Sequence, residues 1–147
     1  EIHLNDQAIG LGNSIFYVAL FLASTRLDPV TRRLGNRRTM ALGILVIGLY
    51  PALLSQATGP ALYLAASIMG GTGWALAGGA VGNYVLEKTP DDSRPSYLAW
   101  YNMALQAGIL IGSLVAPALS GWWGLTIGLI FAAGCRFLIG VLIWRSE

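Results

Sequence analysis

Charge is scarce in this sequence. Charged residues make up 11% of the 147, against roughly a quarter in ordinary soluble chains. Cysteine and histidine occur once each, as Cys135 and His3. A single cysteine excludes a disulfide framework, and one cysteine with one distant histidine argues against a metal cluster. No cofactor is indicated, and no residue is nominated as catalytic. The long apolar runs contain no acid: Asp28, Glu87, Asp91 and Asp92 fall between them, and Asp6 precedes the first. A pair of carboxylates for acid–base work within the apolar part is therefore missing, and so is an intramembrane carboxylate for proton coupling. A basic start followed by a short apolar stretch and a small-residue cleavage site is absent too, so no signal peptide is read. The first residue is Glu1 rather than Met, and the reading expects a chain that begins inside a longer protein.

What is present is hydrophobicity in long blocks, 55% of all residues. A bilayer-crossing helix needs about 20 mostly apolar residues. Five windows qualify, at about 7–25, 40–56, 60–86, 96–119 and 122–144. Their apolar stretches are continuous and do not alternate as barrel strands would. The expected fold is an all-α polytopic membrane protein with five transmembrane helices. Asn5 or Asp6 can cap the first helix, and Pro60 opens the third. Thr89-Pro90-Asp91-Asp92 supplies a cap and turn ahead of the fourth. Pro51 predicts a kink in the second, and the last turn is expected near Gly121. The third window exceeds one crossing and predicts tilt or protrusion.

The basic residues are unevenly placed. Arg26, Arg32, Arg33, Arg37 and Arg38 lie between windows one and two, Lys88 and Arg94 between three and four, and Arg145 after the fifth. Only Arg136 lies within a window, and the opposite side has no lysine or arginine. The positive-inside rule makes the basic side cytoplasmic. The N-terminal end is then outside and the C-terminus inside, in what is expected to be the plasma (inner) membrane. A nucleic-acid partner is disfavoured, because the basic loop is short and pinned at both ends by membrane, without a broad basic surface.

The loop itself, "DPVTRRLGNRR", resembles the signature loop of the major facilitator superfamily, Gly-x-x-x-Asp-Arg-x-Gly-Arg-Arg. Arg33, Gly35 and Arg37 match its arginine, its second glycine and the last of its basic pair, and Arg38 follows directly as a further basic residue of the loop. Arg32 stands at the signature's aspartate, Asp28 at its first glycine and Asn36 at an arginine. Such decay is typical of the weaker second copy in the C-terminal half. The second charged loop "EKTPDDSRPSY" and the final "CRFLIGVLIWR" fit the same layout. The chain thus resembles helices eight to twelve of a twelve-helix permease, a partial six-helix half-bundle lacking the N-terminal half of the same chain. The resemblance implies that the loop locks a tight turn at the cytoplasmic face. Gly35 suits such a turn because it adopts positive φ without steric penalty.

Helical periodicity divides the spans into faces. In the fourth, Asn102, Gln106 and Ser113 lie within about 40° of one another, against a small-residue stripe of Ala104, Gly108, Gly112 and Ala116. Asn13, Tyr17 and Ser24 share a face of the first span. The third carries Gly71, Ala75 and Gly79 as one ladder and Gly78 with Gly82 as another, with Trp74 near its middle. Polar groups in hydrocarbon are costly and should meet protein or water. Asn13, Tyr17, Trp74, Asn102 and Gln106 are therefore the substrate-cavity candidates, and the family resemblance also places the first, third and fourth spans at a cavity. Interhelical hydrogen bonding or plain packing explains the same residues without a substrate. Trp122, Trp123 and Trp144 read as interface anchors. Arg136 needs a loop acid such as Glu87, backbone carbonyls, or a reach to the cytoplasmic surface. The functional expectation is transport of a small solute by alternating access. A small five-span scaffold protein and a membrane-embedded enzyme are the alternatives.

Overall fold

The computed structural model describes residues 5–146, so Glu1 and His3 lie outside the described residues. The chain runs through α1 (Asp6–Ser24), α2 (Leu27–Leu34), α3 (Asn36–Leu54), α4 (Pro60–Lys88), a 3₁₀ turn (Asp91–Ser93), α5 (Arg94–Trp123) and α6 (Leu125–Arg145). All but α2 and the 3₁₀ turn are long and apolar enough to cross a membrane, giving five such helices among the described residues. At 1.5 Å per residue, α4 and α5 are each roughly 45 Å long, well beyond a hydrocarbon core of about 30 Å.

Local chemistry accounts for most ends. Asn5 caps α1, its side-chain oxygen accepting from Ala8 N–H at 2.8 Å. Pro60 opens α4, where its missing N–H has no partner to lose. Pro51 is buried inside α3, which ends three residues later at Leu54. Pro117 likewise lies inside α5.

Two ends differ from the sequence-based expectation. The stretch 27–34, expected as loop, is the short helix α2. Leu27, Val30 and Leu34 are its half-buried side and Arg32 and Arg33 its exposed one. The last turn lies at Gly124, not near Gly121, so α5 continues through Trp122 and Trp123. The reason is in the backbone: Gly124 has φ 85° and ψ 153°. Its N–H donates to Ser120 O at 2.9 Å and its own carbonyl accepts from Gly128 N–H at 3.2 Å. Gly35 repeats the arrangement between α2 and α3, with φ 79° and ψ 157°. It donates to Thr31 O at 2.8 Å and accepts from Thr39 N–H at 3.1 Å. Each glycine therefore joins two helices as a corner one residue long.

The packing order is α1, α4, α3, α6, α5, with α4 seated between α1 and α3. Small residues set these distances. A Cβ on Gly71 would strike the Phe16 carbonyl of α1, and one on Gly43 the Ala77 backbone of α4. On the far side of α3, Gly140 of α6 lies under the Leu45 side chain. Ala41, Ala66, Ala80 and Thr39 are fully buried in this core, and Thr39 satisfies its hydroxyl by donating to Gly35 O at 2.8 Å. α5 leans on α6 and on the end of α4, and none of its residues is buried.

Candidate functional site

The basic segments meet at one end of the bundle. Arg32 of α2 pairs with Asp28 one turn earlier at 3.0 Å, an exposed pair of small energetic weight. Asn36, the first residue of α3, donates from Nδ2 to Glu87 Oε2 of α4 at 2.9 Å. The next residue reaches a third helix. Arg37 donates from Nε and Nη2 to Ile143 O, both at 3.2 Å, and from Nη2 to Ser146 Oγ at 2.8 Å. Those are the exposed carbonyl end of α6, where a cation also meets the negative end of the helix dipole. Arg38 lies over the Trp144 ring, 5.9 Å from its centroid. Arg33 is exposed. On the neighbouring turn Arg94 pairs with Asp91 at 2.8 Å. Gly35 and its flanking residues thus tie the start of α3 to the ends of α4 and α6.

The loop arginines were visible in the sequence as a topology signal, but the clamp from Arg37 to the end of α6 was not. Its partners are backbone carbonyl and hydroxyl groups more than a hundred positions away, which no local spacing reveals. Arg136 is resolved among its three alternatives: Nη1 donates to Ala132 O at 3.1 Å. Glu87 is not its partner, being engaged with Asn36 and, at 3.7 Å, with Lys88. A helical side chain leans toward the N-terminus of its helix, which carries the Arg136 guanidinium away from the end of α6. It borders a groove of about 460 Å³ between α5 and α6, with Gly112, Val115, Leu119 and Cys135 among the lining residues.

The five polar candidates of the apolar layer lie on three helices. Asn13 and Tyr17 sit on α1, and Tyr17 packs edge-on against Phe16 with ring centroids 5.5 Å apart. Trp74 is exposed on α4, on the same open side as Gly78, where a Cβ would meet nothing within 4 Å. Asn102 and Gln106 are exposed, one turn apart, on α5. The Asn102 amide donates to Leu98 O at 2.9 Å. Among the described residues no hydrogen bond joins these side chains to one another, and none of them lines the α5–α6 groove. Among the described residues no group of histidine, cysteine, aspartate or glutamate is placed to hold a metal.

A profile of the Major Facilitator Superfamily matches residues 1–147. The chain is 29% identical over 143 residues to Sugar carrier protein A of Ricinus communis, covering 95% of this chain and 27% of that protein. It is 26% identical over 144 residues to Sugar transport protein 4 of Arabidopsis thaliana, covering 95% and 28%. It is 27% identical over 146 residues to H(+)/hexose cotransporter 2 of Parachlorella kessleri, covering 95% and 26%. The chain therefore spans about a quarter of the length of the curated relatives it matches.

Proposed function

The chain belongs to the major facilitator superfamily, and on that premise we propose that it supplies helices eight to twelve of a permease moving a small neutral polar solute by alternating access. It is an integral membrane protein of a transporter family, not a member of an enzyme family. The observation that carries the reading is the joint one: a family match along the entire chain, with five helices able to span a membrane. The names of the relatives favour a sugar as the solute.

Helices α1, α4 and α5 border the solute path in this reading, and α3 and α6 support them from outside. Asn13, Tyr17, Trp74, Asn102 and Gln106 supply its polar and stacking groups. A carboxamide both donates and accepts, which suits a hydroxyl-rich neutral solute, and Gln106 is exposed to receive one. The remaining wall comes from outside residues 1–147, in keeping with sites that lie between transporter halves. Any coupling carboxylate comes from there as well, since the apolar windows hold none.

The test is counterflow uptake of radiolabelled hexose by the full-length protein in proteoliposomes. Saturable uptake competed by unlabelled hexose is expected. Gln106→Ala should weaken substrate binding about two- to tenfold, the loss of one ordinary hydrogen bond. Failure to move any neutral solute refutes the solute class. A Gln106→Ala variant altered only in expression removes α5 from the path.

A further inference from the structure

Beside the arginine clamp, at the same end of the bundle, lie two depressions that share residues. The outer one, about 330 Å³, is bordered by Leu34, Arg37, Arg38, Trp144, Arg145 and Ser146. The other, about 450 Å³ and more open, lies between α3 and α6 and is bordered by Leu42, Leu45, Val141, Trp144 and Arg145. Trp144 and Arg145 belong to both, so a cationic pocket adjoins a mainly apolar groove. From Arg38 to Leu45 along α3 the descent is roughly 10 Å.

We propose that this end of the α3–α6 seam binds an anionic phospholipid, its phosphate on Arg38 and Arg145 and one acyl chain in the groove toward Leu45. Three features of the site fit that occupant. Among the described residues no carboxylate forms an ion pair with Arg37, Arg38 or Arg145, and three guanidinium groups border the pocket. Arg37 spends its bonds on the end of α6 and adds charge while holding the wall in place. Arg38 and Arg145 are exposed, and a guanidinium fork suits the geometry of a phosphate. Trp144, half-exposed beneath Arg38 at the end of α6, is of the residue type enriched at the headgroup boundary. Basic pockets between membrane helices are a recognised place for anionic headgroups, and the groove adds what a free anion lacks, contact for a hydrocarbon chain.

The proposal rests on the orientation argued above only for the leaflet that supplies the lipid. Native mass spectrometry of the full-length protein tests it, with phosphatidylglycerol and phosphatidylcholine of equal chain length offered together. Phosphatidylglycerol should be retained in preference, and each of Arg38→Gln and Arg145→Gln should lower that retention roughly fivefold. Val141→Trp, which fills the groove from its open side, should lower retention while the melting temperature stays near that of the parent. Equal retention of the two lipids, or wild-type retention by the double glutamine variant, overturns the proposal. Full displacement by inorganic phosphate also overturns it, since that outcome describes an anion pocket without a chain. Selective retention in a protein whose basic end proves to face outward upholds the lipid site and refutes the orientation alone.

Discussion

Gly35 concentrates the demand that this fold makes on one residue. Its φ of 79° and ψ of 157° fall where only glycine rests easily, and any other residue pays about 1–3 kcal/mol there. A Cβ would meet nothing within 4 Å, so the penalty lies in the backbone and not in crowding. Gly35→Val should therefore distort the corner that aims Asn36 and Arg37 at their partners. The expected outcome in the full-length protein is a reduced transport rate with equilibrium substrate binding largely intact, measured by counterflow beside direct binding. A large loss of affinity at unchanged turnover would assign Gly35 another role. The glycine's conformation was legible because a match to a spaced signature carries a backbone requirement with it. The targets of Arg37 and Arg136 were not, since both bond to backbone carbonyls, and every residue offers one of those.

Between helices, legibility depended on whether a pattern has a partner. The ladder Gly71, Ala75, Gly79 reads as a packing face, and the first two are buried, with Gly71 against the Phe16 carbonyl. Gly79 receives the Leu27 side chain of α2. The second ladder has the same spacing, yet a Cβ on Gly78 or Gly82 meets nothing within 4 Å. Spacing shows that close approach is permitted, while the neighbouring helix decides whether it happens. The two faces should respond differently to bulk. Gly71→Leu overfills the α1–α4 seam, a change that typically costs about 1–3 kcal/mol, and should lower the melting temperature of the detergent-purified protein by several degrees. Gly78→Leu should leave it nearly unchanged. Equal responses would mean that α1 does not lie where the structure puts it. The helix α2 was missed for a related reason: eight residues with a proline and several arginines look like a solvated loop, although Leu27, Val30, Thr31 and Leu34 recur at helical spacing.

For the molecule as a whole, charge and packing agree on which segments share an end. The hydrogen bonds from Asn36 to Glu87 and from Arg37 to Ser146 gather the first basic loop, the second charged loop and the C-terminal tail together. At the other end, residues 54–58 meet Leu125, Thr126 and Leu129 around a depression of about 440 Å³ with no lysine or arginine in its wall. All-helical class and five long apolar helices followed from composition and run length, which are properties of the chain as a solute in lipid. The order in which the helices pack did not, because apolar faces in a membrane protein are nearly alike. The proposed orientation is checked with Asn36→Cys in intact cells. The thiol should resist a membrane-impermeant reagent added outside and react after permeabilisation; modification from outside would reverse the topology.

The one-residue corners at Gly35 and Gly124 also bear on how the gene can change. Ordinary surface loops absorb inserted or deleted codons with little effect. Here no slack exists: one added residue at position 35 rotates all of α3 by roughly 100° about its axis and shifts it about 1.5 Å. Gly43 would then turn away from Ala77, and Leu45 from Gly140, in a single event. An extra residue at 124 would do the same to α6, carrying Gly140 off Leu45. Length variation is affordable instead at 55–59 and 89–93, where several non-helical or 3₁₀ residues separate the long helices. The reading frame through each corner is in that sense a structural element, defended by geometry and not by any side chain.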